Sequence, residues 1–330
     1  MKTSAIVATL IGLAIAATLI ATNGYAEIGQ AVMMAGWGIL WVIALHFPQM
    51  LFSSMAWRAV VPGERLPGVP AFIGLRLIRE GVNALLPVAQ IGGEFVAARL
   101  MGFGGISLGA AGASVTVDLT LEMLSQVIFT LLGLGLLLAG SGSPEITEWV
   151  LKGSLLALLL VAVFILAQRW GLLRLLERGL LKLAETQKWK GLEDVAGLHQ
   201  AIVDLYRSPR RLAWGTAHHT MSWLLGGLEV WAALWVVGHP VGWREALIIE
   251  SLGQAFRSLG FAVPGALGVQ EGGLILVAGL LGFGPQAAIE LSLLKRAREL
   301  ALGLPGLAAW HWMERRSSRT RADAQMESRP

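Results

Sequence analysis

Cysteine is absent from the chain, which excludes disulfides, thiolate metal sites and cysteine nucleophiles. Charge is scarce as well. Asp, Glu, Lys and Arg together make up 15% of the residues, against about 25% in an ordinary soluble domain. No nucleotide-binding glycine loop occurs, and neither a DxxD nor an HExxH pattern, so ATP-driven work and a membrane metalloenzyme have no motif to stand on. The net charge of +4 is small, and the basic residues lie between apolar runs rather than in one patch. They read as topology determinants, not as a nucleic-acid surface. What is present in excess is apolar: 55% of the residues, with a mean hydropathy of +0.64.

The apolar residues are gathered into runs of about 20, the length that crosses the hydrocarbon of a bilayer. Lipid offers no hydrogen-bond partners, so such runs must be helical. Spans are expected near 4–22, 31–56, 108–139, 149–168, 212–237 and 285–311. The segment 169–211 carries nine Lys and Arg residues, among them Arg169, Arg174, Lys188, Arg207 and Arg211, and the tail adds Arg315, Arg316, Arg319, Arg321 and Arg329. The connections 140–148 and 23–30 hold only acidic charges. The positive-inside rule then puts both termini and 169–211 in the cytoplasm of a bacterial inner membrane. Trp57, Trp149, Trp170, Trp214, Trp243, Trp310 and Trp312 stand near span ends, as interfacial residues do. Segment 170–206 alternates leucines with Arg174, Arg178 and Lys182 at helical spacing and reads as an amphipathic helix on the inner leaflet or, equally, as a solvated cytoplasmic helix pair. A cleaved signal peptide is the rival reading of the first span.

Two stretches, 71–101 and 244–282, are too polar for lipid-facing helices. Pro87, Gly92 and Gly93 break the first, Pro264, Gly265 and Gly268 the second. Proline lacks the backbone donor a helix needs, and inside a bilayer such a break requires protein or a wet cavity around it. For the flanking spans to keep their sides, each stretch must enter and leave by one face. Two re-entrant hairpins of opposite orientation are therefore expected. Both contain Pro-x6-Glu, ending at Glu94 and Glu271, and they are 177 residues apart (264 − 87). The same offset brings 31–56 close to 212–237, carries 108–139 onto 285–311, and takes Glu122 to Glu299 and Asp118 to Lys295. An inverted repeat over about 31–139 and 212–311 follows, and broken helices at matching places in two halves are the sequence mark of a transporter's substrate site.

Ionisable groups at bilayer depth are costly and usually mark function. On the first hairpin Arg76, Arg79, Glu80 and Asn83 share a helix face, with Gln90 and Glu94 past the break. On the second, Gln254 and Arg257 precede the break and Gln270 and Glu271 follow it. Guanidinium forks suit phosphate, so Arg76, Arg79, Glu80, Asn83, Gln90, Glu94, Arg257, Gln270 and Glu271 are the candidate substrate-binding set. Asp118, Glu122, Lys295, Arg296, Arg298 and Glu299 form a candidate intramembrane charge network, with Asp118 and Glu122 expected to pair with Lys295 and Arg296 across a pseudo-two-fold axis. The same charges could instead serve only to fix helix register. Pro87, Gly92, Gly93, Pro264 and Gly268 are architectural. His218 and His219 are adjacent and face different sides, so a polar contact is expected rather than a metal; no cofactor is implied.

The stretches RLIREGVNALLPVAQIGGE, VPGALGVQEGG and LKRARELALGLPGL resemble the flippase-like transmembrane domain of the lysylphosphatidylglycerol synthase family. The resemblance covers roughly residues 4–312, and the closing stretch LSLLKRARELALGLPGL is similar to the branch of membrane proteins associated with hopanoid biosynthesis. It implies lipid translocation between leaflets, with the two hairpins at the centre. Only the tail 313–330 follows the last span, so the resemblance is to the flippase part alone and carries no synthase activity.

The expectation is an all-α polytopic membrane protein with about six transmembrane helices and two re-entrant hairpins. It forms one flippase-like domain over 1–312, followed by a disordered basic cytoplasmic tail. It is read as a lipid transporter and not an enzyme. A membrane lipid (phospholipid, polyprenyl-linked or hopanoid-type) is its partner, nucleic acid is not, and both lipid-biosynthetic enzymes and an oligomer have room. An enzyme acting on a lipid or polyprenyl carrier is the rival from another class, with Asp118 and Glu122 as its nearest residues. A scaffold acting through segment 170–206 is the third.

Overall fold

The computed structural model describes residues 25–63, 66–86, 92–141, 198–260, 266 and 268–327, with 148, 159, 163 and 166 singly. Ten helices run through them: α1 (Tyr25–Ala35), α2 (Gly38–Ala59), α3 (Val69–Leu85), α4 (Gly92–Phe103), α5 (Leu108–Ser141), α6 (Leu198–Tyr206), α7 (Pro209–Val236), α8 (Trp243–Leu259), α9 (Val269–Leu280) and α10 (Pro285–Glu327). No strand occurs among the described residues, so the chain is all-α as expected. Prolines open α7 and α10, where the missing N–H costs nothing because the first turn has no acceptor for it.

Two described helices, Gly38–Ala59 and Leu108–Gly140, are long and apolar enough to cross a membrane. The expected spans 4–22 and 149–168 lie outside the described residues, apart from single positions. Those at 212–237 and 285–311 form α7 and α10, which are long but carry more polar groups. The span expected over 31–56 is divided. Gly36 takes a left-handed φ of 52°, ending α1, and α2 starts two residues later at Gly38. Side chains at Gly38 are excluded by Val236 of α7, which lies where a Cβ would stand.

The chain forms two compact units. The first comprises Met1–Pro48, Leu77–Gly93 and Leu224–Ala308, the second Gln49–Arg76, Glu94–Trp223 and Ala309–Pro330. Each therefore draws on both expected repeat halves. In the first unit α8 and α9 pack on each other, with Gly253 against Leu274 and Gly273 against Phe256. The C-terminal part of α3 meets α10 through glycine. A Cβ on Gly81 would stand 2.7 Å from the Gly303 carbonyl oxygen, and one on Gly306 would strike the Leu77 backbone. Small residues that let helix backbones touch are the means by which membrane helices associate, since lipid leaves them no hydrophobic gain.

In the second unit α5 packs against α6. Trp57 is fully buried, edge-on to Phe72 at 5.4 Å, and donates from Nε1 to Ser114 at 3.2 Å. Trp223 stacks on Phe129 and donates to Ser125 at 3.1 Å. Each indole thus buries its ring and satisfies its one donor. Of the segment expected to be amphipathic, 170–197 lies outside the described residues. Its end forms α6, whose His199, Ile202 and Leu205 are buried; Leu198 lies against Gly112 of α5.

The tail expected to be disordered from 313 is instead helical to Glu327. Residues 313–327 contain no glycine or proline and several strong helix formers, so nothing in them stops the helix.

Beside the apolar core, charged groups are buried and large apolar groups are exposed. Trp37 is 85% exposed and Trp41 66%, whereas Glu229 is 1% exposed and Asp118 0%. Ionisable groups inside and large apolar groups outside are what a hydrocarbon solvent requires.

Two expected hairpins carry a common pattern. α3 and α8 each have 17 residues, and α4 and α9 each have 12. At 1.5 Å per residue these are roughly 25 and 18 Å long, short of the roughly 30 Å of hydrocarbon. The offset taken from the sequence carries Gly92–Phe103 onto Val269–Leu280, the start of α5 at Leu108 onto the start of α10 at Pro285, and the end of α2 at Ala59 onto the end of α7 at Val236. These boundaries repeat with the period of the motifs, whereas α3 and α8 are 174 residues apart (243 − 69).

Candidate functional site

The first unit contains a chain of charged side chains drawn from six helices. Arg257 of α8 donates from Nη1 to Gln270 of α9 and to Glu299 of α10, both at 2.6 Å. The neighbouring Arg298 lies with its Nη2 3.8 Å from the same Glu299 oxygen. Its Nη1 donates to both oxygens of Glu229 on α7, at 2.6 and 2.8 Å, and lies 2.8 Å from His46 Nδ1 on α2. His46 in turn stands between two carboxylates: Nδ1 is 3.1 Å from Glu229, and Nε2 is 3.1 Å from Glu80 of α3. The Nε–H of Arg298 is buried and has no partner.

Two further pairs lie on the same helices. Lys295 donates to Glu250 of α8 at 2.5 Å, with both side chains at least nine-tenths buried. Arg296 donates to Glu271 at 2.5 Å. Glu271 also accepts from the Gly268 backbone N–H at 2.7 Å, closing the N-terminus of α9. The Glu271 of the Pro-x6-Glu spacing therefore has a structural role: it caps the start of α9, at a Gly268 whose φ of 77° suits glycine. In the first hairpin the corresponding Glu94 also falls in the first turn of its helix, and it is buried.

At the first break, Asn83 Oδ1 accepts from the Gly93 N–H at 2.8 Å. Gly93 is where it is because a Cβ there would collide with the Arg79 carbonyl. Arg79 itself is 2% exposed. Pro87, Gln90 and Pro264 lie outside the described residues.

The second unit holds its own pairs. Arg76 grips Glu122 with two hydrogen bonds, Nη2 to Oε1 at 2.6 Å and Nη1 to Oε2 at 3.3 Å. His219 Nε2 lies 2.8 Å from Asp118 Oδ1, both groups wholly buried. His218 faces outward and contacts the Trp214 carbonyl at 2.7 Å. The ligand atoms of Asp118, Glu122 and His219 lie within 4.8 Å of one another, a spacing a metal could use, but the Arg76 guanidinium already supplies the positive charge at Glu122.

Within its own unit each charge of the expected network has a contact: Asp118 meets His219, Glu122 meets Arg76, Lys295 meets Glu250 and Arg296 meets Glu271. A buried charge needs such a neighbour to repay its desolvation.

The offset does reveal a correspondence in pairing. Glu122 and Glu299 stand 177 residues apart, and each is held by an arginine from a 17-residue helix, α3 for Glu122 and α8 for Glu299. Arg76 lies one helical turn before the position equivalent to Arg257, which Glu80 occupies. The structure thus brings Glu80, Arg257, Gln270, Arg298 and Glu299 into one network, and places Arg76 and Glu122 in a separate pair.

Sequence reasoning missed His46, Glu229 and Glu250. His46 and Glu229 lie in runs that read as ordinary spans. A lone ionisable residue inside an apolar run is itself a signal of function, and applied to 31–56 and 212–237 it would have found both.

No curated protein and no solved structure gives a significant match to the sequence. The family comparison does match, over nearly the whole chain and over every helix of the charged network: residues 6–306 correspond to the lysylphosphatidylglycerol synthase TM region, and the chain belongs to that family of membrane proteins.

Proposed function

We propose that this membrane protein moves an anionic lipid between leaflets, and that Arg257 is the side chain that takes the head group. The observation that carries the reading is the arrangement at Arg257. Its side chain is 21% exposed, and its guanidinium is held by the carboxylate of Glu299 and the amide oxygen of Gln270. A carboxylate on a guanidinium is the chemistry of a phosphate on a guanidinium, so Glu299 holds the place that a lipid phosphate or carboxylate would take by exchange. The family supports the lipid as substrate class, since it describes a membrane region tied to lipid metabolism rather than a catalytic domain. The acyl or polycyclic tail stays in hydrocarbon throughout.

The topology that serves this reading has six crossings, both termini in the cytoplasm of a bacterial inner membrane, and α3–α4 and α8–α9 as re-entrant hairpins of opposite orientation. The shortness of all four helices and the 177-residue offset between α4 and α9 support it. Purified protein in liposomes carrying a fluorescent phosphatidylglycerol tests the function. Wild type accelerates exchange between leaflets and Arg257→Ala returns it towards the protein-free rate; wild-type exchange no faster than protein-free liposomes sinks the reading.

The grouping of Asp118, Glu122 and His219 within 4.8 Å favours a second reading, an enzyme acting on a lipid or polyprenyl carrier. Incubating the purified protein with labelled lipid separates the two: a new labelled product lost in Asp118→Asn supports the enzyme, and unchanged lipid supports the transporter.

A further inference from the structure

We propose that His46 is a proton-binding site that governs the hold of Arg257 on its anionic ligand, so that head-group binding takes up a proton. The inference rests on the reading of Arg257 just given.

The contacts of His46 are mutually incompatible in a single protonation state. Its Nδ1 faces both an oxygen of Glu229 at 3.1 Å, which can only accept, and Nη1 of Arg298 at 2.8 Å, which can only donate. A ring nitrogen carries either a lone pair or a proton. With a neutral ring, Nε2–H donates to Glu80 and Nδ1 accepts from Arg298. With a protonated ring, Nε2–H still donates to Glu80, but Nδ1–H now donates to Glu229 and repels Arg298. The groups that face the ring are Glu80 from α3, Glu229 from α7 and Arg298 from α10, and each has a favourable contact in at least one of the two states.

The electrostatics of the ring point the same way. His46 stands between the carboxylates of Glu80 and Glu229, and a negative neighbour on each side favours the protonated form. Among the groups joined by these contacts the imidazole is the one whose ordinary titration falls between about pH 5 and pH 8.

The consequence reaches Arg257 through two residues, Arg298 and Glu299. Repelled from Nδ1, Arg298 keeps Glu229 Oε1 and turns its second nitrogen, already 3.8 Å away, towards Glu299. Glu299 is the carboxylate that holds Arg257. Shared between two guanidinium groups, it holds each less tightly, and Arg257 becomes available to the head group. The proton on His46 and the anion on Arg257 therefore favour each other's binding, as thermodynamic linkage requires.

The test is binding of phosphatidylglycerol to the full-length protein in detergent, measured at about pH 8 and about pH 5.5 on either side of the ordinary imidazole range. Wild type is expected to bind about tenfold more tightly at the lower pH, with proton uptake on binding in weak buffer. His46→Gln keeps the weaker affinity at both values, and His46→Lys, permanently charged, shows the tighter affinity at both. Thermal unfolding of each variant identifies any that has lost its fold, and His46→Asn then replaces a misfolded glutamine variant. A pH response that persists in a folded His46→Gln overturns the proton site while leaving the role of Arg257 standing. Binding that Arg257→Ala does not weaken overturns the lipid reading itself, and this proposal with it.

Discussion

Two arginine–glutamate pairs each join a 17-residue helix to a long one, α3 to α5 and α8 to α10, and they bond differently. Arg76 holds Glu122 through both nitrogens of its fork. Arg257 offers a single nitrogen to both Glu299 and Gln270, and Glu299 leads on to Arg298, Glu229, His46 and Glu80. The first pair is bidentate, and the second is one link of a network. A bidentate pair fixes geometry, whereas a shared carboxylate can be redistributed.

The comparison is broken most sharply at Glu229. Glu229→Ala removes the carboxylate that Arg298 and His46 share and leaves a guanidinium buried without its main partner. Loss of one member of a buried ion pair costs about 3–5 kcal/mol. A thermal unfolding midpoint well below wild type is expected, partly restored by adding Arg298→Met, because a buried pair replaced on both sides by apolar groups carries no stranded charge. Full stability in Glu229→Ala alone would show that Arg298 is not committed to it.

Asp118→Ala is the counterpart in the second unit and is expected to cost less. His219 can remain neutral when its carboxylate goes, so what is stranded is a polar group and not a charge. The expected loss is about 1–3 kcal/mol, read by the same unfolding measurement. An effect equal to that of Glu229→Ala would mean that His219 is charged in the folded protein.

How much of this was legible in the sequence depended on whether the signal was local. The helix starts at Gly92 and just after Gly268 could be read, because proline, glycine and spacing act along the chain. The partners could not. Lys295 meets Glu250, 45 residues away on another helix, and such a contact is a tertiary property that no spacing encodes. His46 and Glu229 were hidden for a different reason. One ionisable residue barely changes the hydropathy of a run of about twenty, so averaging over the span concealed the two groups that join the network together. The end of α10 went the other way: charge density suggested disorder over 313–327, while the absence of glycine and proline there favours the helix that forms.

Lysine substitutions sharpen the contrast between the two pairs. Lysine keeps the charge and loses the fork, so Arg76→Lys gives up one of two hydrogen bonds to Glu122, a loss of about 1–2 kcal/mol. Arg257→Lys retains a single donor group able to reach Glu299 or Gln270 in turn, and its stability is expected to fall by less. Unfolding midpoints in the order wild type, Arg257→Lys, Arg76→Lys would support the distinction, and the reverse order would contradict it.

The smallest effect is expected where charge meets solvent. Arg99 of α4 pairs with Glu314 of α10 at 3.0 Å, with 63% of the arginine side chain exposed. Water screens that attraction and two long side chains lose freedom to make it, so an exposed pair is worth about 0.2–1 kcal/mol. Arg99→Ala should therefore shift the unfolding midpoint only slightly. Raising the salt should shrink that shift, because ions screen exposed pairs and leave buried ones nearly untouched. The same salt applied to Glu229→Ala should leave its deficit in place. A salt-sensitive Glu229 deficit would mean that ions reach the network, and its charges could then no longer be treated as buried in the resting protein.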